Sequence, residues 1–517
     1  MALVATLTQR FQAIQDSMQP ESRQPGMVPF GEYLPDQADF NNPGCTDALG
    51  VLPDINGFRP FKDLTVTSDA LSARARGLGA ASDTGGAVSI YAGDQDKLYH
   101  LIRNGWVDIS KSGGYSGTST SDSEWQMEAF GQTFIATNFD DPVQSIAIGG
   151  TVFADLIDSA DTPKARHLGV VREFVVLGNT SDGTDGIKPE RVWWSGINDA
   201  TDFTPAASTQ CDFQDIPEGG WVMRIVGGVE YGLIFQERRI SRMTYVGSPL
   251  VFRIDAIDRK RGTPISGSVI GHGRNVFFIS EEGFMVTNGQ NTTPIGDNRV
   301  DRFFWDQFDT QYISRVSAAI DPLNKLVMWA FPGTGNSAGT PNKILIYSWG
   351  TNRWSRVDKD LEILGRSVDP GYTLDGLDDV STDLDALAFS LDSRAWTGGD
   401  FQLAAFDTSH KYGTFVGSNL AAVIETSEFE QEGQNSQIDR VRPLVDGTSA
   451  TITAALATRD TQNEQSSFGT AIDDEANGDV SVSSEGRYHK VQVNIAAGGT
   501  WTRAQGVQVF STVTGFV

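Results

Sequence analysis

Five histidines, His100, His167, His272, His410 and His489, are the side chains of this sequence whose ordinary pKa lies near neutrality, and acid–base or metal chemistry would start from them. No two stand at a helical or hairpin spacing that would chelate a metal, so each is expected on the surface or satisfied in a core. The chain has no Gly-x-Ser-x-Gly elbow, no phosphate-cradling Gly-x-x-x-x-Gly-Lys and no Cys-x-x-Cys. Its two cysteines, Cys45 and Cys211, are far apart in sequence; free, inert thiols are expected, with a disulfide as the alternative.

Two further stretches carry chemistry-bearing residues. "SLDSRAW", Ser390 to Trp396, comes close to the Ser-x-Asp-x-Gly-x-x-Trp turn of sialidase propellers, but the Gly is absent, the Trp comes one residue early and the phrase occurs once. It reads as a structural turn. The acidic run "LDGLDDVSTDLDALAF" gathers Asp375, Asp378, Asp379, Asp383 and Asp385. Such oxygens could hold a hard cation such as Ca²⁺, but the spacing is not that of an EF-hand loop; a solvated acidic loop, one that could face a channel, is the expectation. Glycoside hydrolysis needs only two carboxylates, and with 66 acidic residues the sequence leaves it open. No cofactor and no metal are expected.

The elements that must position these residues are strands. Hydrophobic content of 39% with 29 Phe supplies a sizeable core, and 55 Gly between short runs of Val, Ile, Phe and Thr point to an all-β chain with many turns. No stretch approaches the roughly 18–20 apolar residues of a membrane span, and the start lacks a signal-peptide layout, so a soluble chain is expected. The net charge of −26 disfavours electrostatic gripping of nucleic acid, which needs a basic face. It suits solubility, or a surface past which DNA slides.

One phrase recurs. "KLYHLIRNGWVDIS" (Lys97–Ser110) and "KILIYSWGTNRWSRVD" (Lys343–Asp358) each place a Tyr seven residues before a Trp across a polar turn with Gly and Asn: Tyr99 and Trp106, Tyr347 and Trp354. Both read as hairpins whose rings reach one buried layer. "GGVEYGLIFQERRISRMTYV", "GHGRNVFFISEEGFMVTNG" and "NKLVMWAFPG...NKILIYSWG" share a strand–turn–strand layout in units of roughly 40–55 residues, the size of a four-stranded propeller blade. The fold expected is an all-β propeller of about six to seven blades over residues 68–407.

At the start, Leu3, Leu7, Phe11, Ile14 and Met18 stripe a short amphipathic helix in residues 1–20 that must dock on its own body or on a neighbouring subunit. Residues 21–67 read as an extended arm. Residues 408–517 alternate with period two and form either a small sandwich or the closure of the propeller.

"VPFGEYLPDQADFNNPG" (Val28–Gly44), "GFRPFKDL", "IYAGDQDKLYHL", "LDSRAWTGG" and the closing "GTWTRAQGVQVFS" (Gly499–Ser511) resemble the β-propeller tail-hub or tail-nozzle proteins of short-tailed bacteriophages. The resemblance implies a virion protein, made in the bacterial host cytoplasm and not an enzyme. It implies a homohexameric ring below the head–tail connector or adaptor that continues the DNA channel, retaining and then conducting the genome during ejection, with tail fibre or needle proteins as further partners. Double-stranded DNA would pass without specific binding. The recurring aromatics would then pack between blades, and the acidic run would face the channel. The alternative is a tail-tip propeller that binds a receptor or hydrolyses glycans.

Overall fold

The computed structural model describes residues 26–117, 123–157, 163–368, 401–431 and 433–515. The chain divides into two compact units, Lys62–Gly417 and a second made from the described residues of Met1–Phe61 and Ser418–Val517.

Within Lys62–Gly417 the described strands make seven four-stranded antiparallel sheets, the blades of a β-propeller. Blade 1 is Gly77–Ser82, Val88–Gly93, Leu98–Ile102 and Gly105–Asp108; blade 2 is Gln126–Phe130, Thr133–Thr137, Gln144–Ala147 and Ala154–Asp155. Blade 3 is Lys164–Val171, Phe174–Asp182, Gly186–Trp194 and Asp212–Asp215; blade 4 is Val222–Val226, Tyr231–Gln236, Ile240–Gly247 and Val251–Asp258. Blade 5 is Ile270–His272, Asn275–Ser280, Gly283–Thr287 and Thr292–Pro294; blade 6 is Ser317–Asp321, Leu326–Phe331, Lys343–Ser348 and Arg353–Asp358. Blade 7 takes Ile363–Val368, Phe401–Phe406 and Lys411–Thr414 from one end of the unit and its fourth strand, Thr65–Ala70, from the other. The register of that closure pairs Lys411 with Ala70, Gly413 with Val66 and Thr414 with Thr65. The propeller is thus completed by the strand at 65–70 and not by the C-terminal region.

The blade strands form where they do because each sheet is covered on both faces by its neighbours, which favours unbroken apolar runs. All six residues of Leu326–Phe331 are buried, as are five of Asn275–Ser280. Aromatic pairs bridge adjacent blades: Tyr91 stacks on Phe134 at 4.3 Å between blades 1 and 2, and Phe235 meets Phe278 at 5.1 Å between blades 4 and 5. Each such buried ring contributes roughly 1.5–3 kcal/mol of apolar burial. A short helix α1, Asp301–Gln307, for which the sequence reading had no place, seats Phe304 against Phe284, Phe308 and Phe331 between blades 5 and 6.

The second unit is a sandwich of two sheets. One orders Val51–Asp54, Gly57–Pro60, Trp501–Gly515, Asn435–Gly447 and Val480–Gly486, with Gly26–Pro29 also on Trp501–Gly515. The other orders Cys45–Leu49, Ala422–Thr426, Tyr488–Ile495, Ile452–Arg459 and Ile472–Asp473, with Phe429–Glu430 also on Tyr488–Ile495. Residues 26–60 therefore are not an unpaired arm. Val51–Asp54 and Gly57–Pro60, with Val51 and Phe58 fully buried, form a local hairpin, and Gly26–Pro29, Cys45–Leu49 and Gly57–Pro60 pair with strands several hundred residues away. No helix among the described residues is long and apolar enough to cross a membrane.

Candidate functional site at the propeller axis

The first strand of each blade is the innermost. Gly77–Ser82 neighbours both Gln126–Phe130 and Ile363–Val368, Gln126–Phe130 neighbours Lys164–Val171, and Lys164–Val171 neighbours Val222–Val226, so these strands ring an axis. They approach closely enough to require glycine: a Cβ on Gly169 would lie 2.7 Å from Ile225 Cγ2, and one on Gly365 would lie 2.9 Å from Leu78 Cδ2. Hydrogen bonds stitch blade to blade. Ser317 Oγ of blade 6 accepts the Leu364 amide of blade 7 at 2.9 Å, Glu362 Oε2 accepts the Ala75 amide entering blade 1 at 2.8 Å, and the Arg76 carbonyl accepts the Trp125 amide entering blade 2 at 2.9 Å.

The residues that lead into the inner strands gather at one end of the propeller. There Ser72, Ala73, Arg74, Arg76, Gln95, Arg315 and His410 line a cavity of about 350 Å³. Arg76 is only 4% exposed, and Arg74 reaches Glu124 at 3.5 Å. His410 Nδ1 lies 2.5 Å from Glu362 Oε1. Burial pushes the Glu362 carboxyl above its ordinary value, while the Ala75 amide and His410 pull it back. Ser72 Oγ is committed to Asp94 Oδ2 at 2.9 Å and Tyr99 Oη at 2.6 Å, so the hydroxyl of this exposed residue is engaged with two buried ones. Three guanidiniums line the cavity, of which Arg74 reaches Glu124 and Arg315 Nη1 donates to the Ala338 carbonyl at 2.6 Å.

On the inner strands themselves sit Glu128, Arg166, His167, Arg224 and Arg366. Glu128 is exposed, yet neighbouring protein crowds its carboxyl. That crowding raises its carboxyl despite the opposing pull of Arg224 and Arg366. Desolvation lowers the Arg224 guanidinium, offset by Glu128 and Glu124. Arg166 lies 4.0 Å over the Phe139 ring. Gln126 Oε1 takes the Leu168 amide at 3.2 Å, which orients the side-chain amide so that Nε2 donates to His167 Nδ1 at 2.9 Å. The imidazole is therefore a neutral acceptor at that nitrogen, and burial, then Arg224 and Arg166, hold its pKa well below 6.5.

The other sequence-identified residues fall as follows. Both aromatic hairpins join the third and fourth strands of their blades. Tyr99 and Trp106 of blade 1 pack on blade 7, with Trp106 5.6 Å from Phe406 and 6.2 Å from Tyr412. Tyr347 and Trp354 of blade 6 pack on blade 5, with Tyr347 6.2 Å from Phe277, Trp354 5.0 Å from Phe284, and Trp354 Nε1 donating to the Ile295 carbonyl at 3.1 Å. Leu3, Leu7, Phe11, Ile14, Met18, "SLDSRAW" and Asp375, Asp378, Asp379, Asp383 and Asp385 lie outside the described residues. Cys45 and Cys211 are buried free thiols, and burial pushes Cys211 up to about 12. Among the described residues no group of three or more His, Cys, Asp or Glu gathers to hold a metal ion.

The axial charges were missed because "WQMEAF" and "WVMRIV" look like ordinary exposed strands until neighbouring blades converge. A legible signal did exist for the turns. Asp94, Asp321 and Asp407 each accept two backbone amides at 2.8–3.1 Å through one carboxylate oxygen, within the phrases "GDQDKL", "IDPLNKL" and "FDTSHKY".

No protein-family model matches the chain, and no curated protein sequence matches it. Among solved structures it is similar to the extracellular domain of BT4673 from B. thetaiotaomicron, with 9% identity, 80% of this chain and 45% of that one covered, and a TM-score of 0.40. It is also similar to the Neurospora crassa Pan2 WD40 domain, with 8% identity, 66% of this chain and 89% of that one covered, and a TM-score of 0.36. The chain thus spans under half the length of the BT4673 chain, and likenesses so distant carry no functional argument; the propeller stands on its own strand order.

Proposed function

We propose that the chain is a structural subunit of a short-tailed bacteriophage tail, a hub or nozzle protein that assembles with copies of itself into a ring below the connector. The ring would continue the DNA channel, hold the genome and then conduct it, with no catalytic step of its own. Tail fibre or needle proteins would meet it as further partners.

The observation that supports this reading is where the phage-like phrases fold. Val28–Gly44 and Gly499–Ser511 are distant in sequence, yet they pair: Val28 faces Val507, Pro29 faces Gly506, and the Phe30 amide donates to the Gln505 carbonyl at 2.9 Å. What they specify is backbone contact. A Cβ on Gly31 would lie 2.6 Å from Gly44 Cα, and one on Gly506 would lie 2.6 Å from the Val28 carbonyl oxygen. Asn42 caps the turn, donating to the Leu34 carbonyl at 3.1 Å and accepting the Gly44 amide at 2.8 Å, while Phe30, Tyr33 and Leu34 are each 2% exposed. Phrases of this kind encode a rigid scaffold.

The test is electron microscopy of the purified chain, alone and mixed with the connector of its source particle. Six-fold rings with an open centre in either sample support the conduit. Single toroids that never assemble overturn it.

A further inference from the structure

A second cavity, of about 400 Å³, opens at the end of blade 4 and is lined by Glu218, Gly219, Arg238, Arg239, Arg259 and Lys260. Three segments build it: the loop that enters Val222–Val226, the turn between Tyr231–Gln236 and Ile240–Gly247, and the residues after Val251–Asp258. Their backbones are tied together. The Arg238 amide donates to the Gly219 carbonyl at 3.0 Å, the Glu237 amide to the Trp221 carbonyl at 3.2 Å, and Asp258 Oδ1 accepts the Lys260 and Arg261 amides at 2.9 and 3.1 Å.

The cations differ in their commitments. Arg239 is engaged, with Nη1 2.9 Å from Glu218 Oε2 and Nε 2.9 Å from Ser241 Oγ, which neutralises Glu218. Glu237 Oε2 accepts the Trp221 amide at 3.3 Å. Arg238, Arg259 and Lys260 are exposed, and their side chains make no ion pair or hydrogen bond among the described residues. In a chain of net charge −26, three uncommitted cations around one cavity are out of keeping with the rest of the sequence. Trp221, two residues beyond Gly219 in the same loop and bonded through its backbone to Glu237, leaves 52% of its surface in solvent.

We propose that this cavity binds a nucleotide, with its phosphate held by Arg238, Arg259 and Lys260 and its base laid against Trp221. A phosphate monoester carries about −1.5 to −2 charge, which calls for several cations where one carboxylate would need a single partner. The volume lies within the usual range of small-ligand sites, roughly 300–1,000 Å³. The lining charges share one cavity, of a span comparable with the Debye length of about 8 Å at physiological salt, so they are screened from one another less than from the acidic surface farther off. Bases stack on exposed aromatic side chains with little regard to sequence. The nucleotide is either free, with that monoester charge, or one unit of a DNA or RNA strand, where successive phosphodiesters of one charge each share the three cations. The proposal does not depend on the tail reading.

The test is equilibrium titration of the full chain with AMP, a labelled oligothymidylate, inorganic phosphate and a poly-glutamate peptide, at two salt concentrations. Saturable binding of AMP or the oligonucleotide is expected. The Arg238→Ala, Arg259→Ala, Lys260→Ala triple variant should weaken it at least tenfold with an unchanged Tm. Trp221→Ala should weaken nucleotide binding while leaving inorganic phosphate unaffected. Oligonucleotide binding at least tenfold tighter than AMP, with a salt dependence that the triple variant flattens, identifies a strand as the source; equal affinities identify the free nucleotide. Absence of saturable binding, an unaffected triple variant, or poly-glutamate binding as tightly as the oligonucleotide would overturn the proposal, the last pointing to an acidic protein partner.

Discussion

The carboxylate of Glu362 accepts the backbone amide of Ala75 at 2.8 Å across 287 residues of sequence, joining the last blade of the propeller to the first. The same carboxylate holds His410, and Glu362 is 6% exposed. Replacing Glu362 with Ala leaves a buried amide without its acceptor, at a cost of about 1–3 kcal/mol. Glu362→Gln, which keeps one acceptor oxygen, should recover part of that. Chemical denaturation of the three proteins checks the order; equal midpoints would show that the contact carries no closure energy.

Gly413 lies where the closing strand crosses blade 7. A Cβ there would lie 2.5 Å from the Thr65 carbonyl oxygen, a backbone atom with little room to retreat. Gly413→Val should lower stability by roughly 1–3 kcal/mol or more, as overpacking does. Hydrogen exchange should show lost protection at Thr65–Ala70 ahead of the other blades. Uniform loss across all blades would mean that closure is not the weak point.

The two recurring aromatic hairpins should differ in energetic weight. Both indoles donate a hydrogen bond at 3.1 Å, but Trp354 is fully buried and stacks 5.9 Å from Trp329, whereas Trp106 is only partly buried. Trp354→Ala is expected to cost about 3–5 kcal/mol, and Trp106→Ala roughly 1–2 kcal/mol, in keeping with partial burial. Thermal unfolding of both variants decides; a larger loss for Trp106 would overturn the ranking.

Acid should destabilise the fold through its buried histidines. Burial lowers His100, His167 and His489 below the ordinary value of 6.5. The unfolded chain then binds more protons below about pH 6.5, so stability present above that pH is lost as pH falls toward the folded-state values. Glu128 and Glu362 act in the opposite sense, because raised carboxyls favour the folded state on acidification. The difference in slope of Tm against pH between the wild type and His167→Gln, measured from pH 7.5 to 5.5, isolates one histidine. The variant should be flatter, and identical slopes would remove His167 from the account.

Much of the propeller was legible, because apolar runs such as Leu326–Phe331 and turn-bounded repeats are local signals. The spacing of Tyr and Trp was also legible, but its register was not. Tyr347 pairs directly with Trp354 across a loop in which Asn352 has φ of 56°, whereas Tyr99 pairs with Asp108 and Trp106 with Leu101 across a tighter turn in which Arg103 has φ of 59°. The same seven-residue interval therefore serves two turn lengths. Closure by Thr65–Ala70, the pairing of Gly26–Pro29 and Cys45–Leu49, and the axial group around Glu128 escaped because each joins segments far apart in sequence, whereas the hairpin of Val51–Asp54 with Gly57–Pro60 turns on a local Asn56-Gly57 and was open to reading. Cavity lining is illegible for the same reason. Arg238 and Arg259 sit in separate turns, and nothing in either turn names the other.

The division of the second unit has a consequence for biosynthesis. Its first strands, from Gly26–Pro29 to Gly57–Pro60, leave the ribosome before the whole of Lys62–Gly417, and Ala422–Thr426 and Trp501–Gly515, which pair with three of them, come after it. At roughly 5–20 residues per second that wait lasts on the order of tens of seconds. During it, Gly26–Pro29 and Cys45–Leu49 lack the partners they take in the finished unit, while Val51–Asp54 can already pair with Gly57–Pro60 as a hairpin. The propeller is free to finish while the sandwich waits, and the yield of this protein in a cell is then governed by how well those early strands are shielded until translation ends.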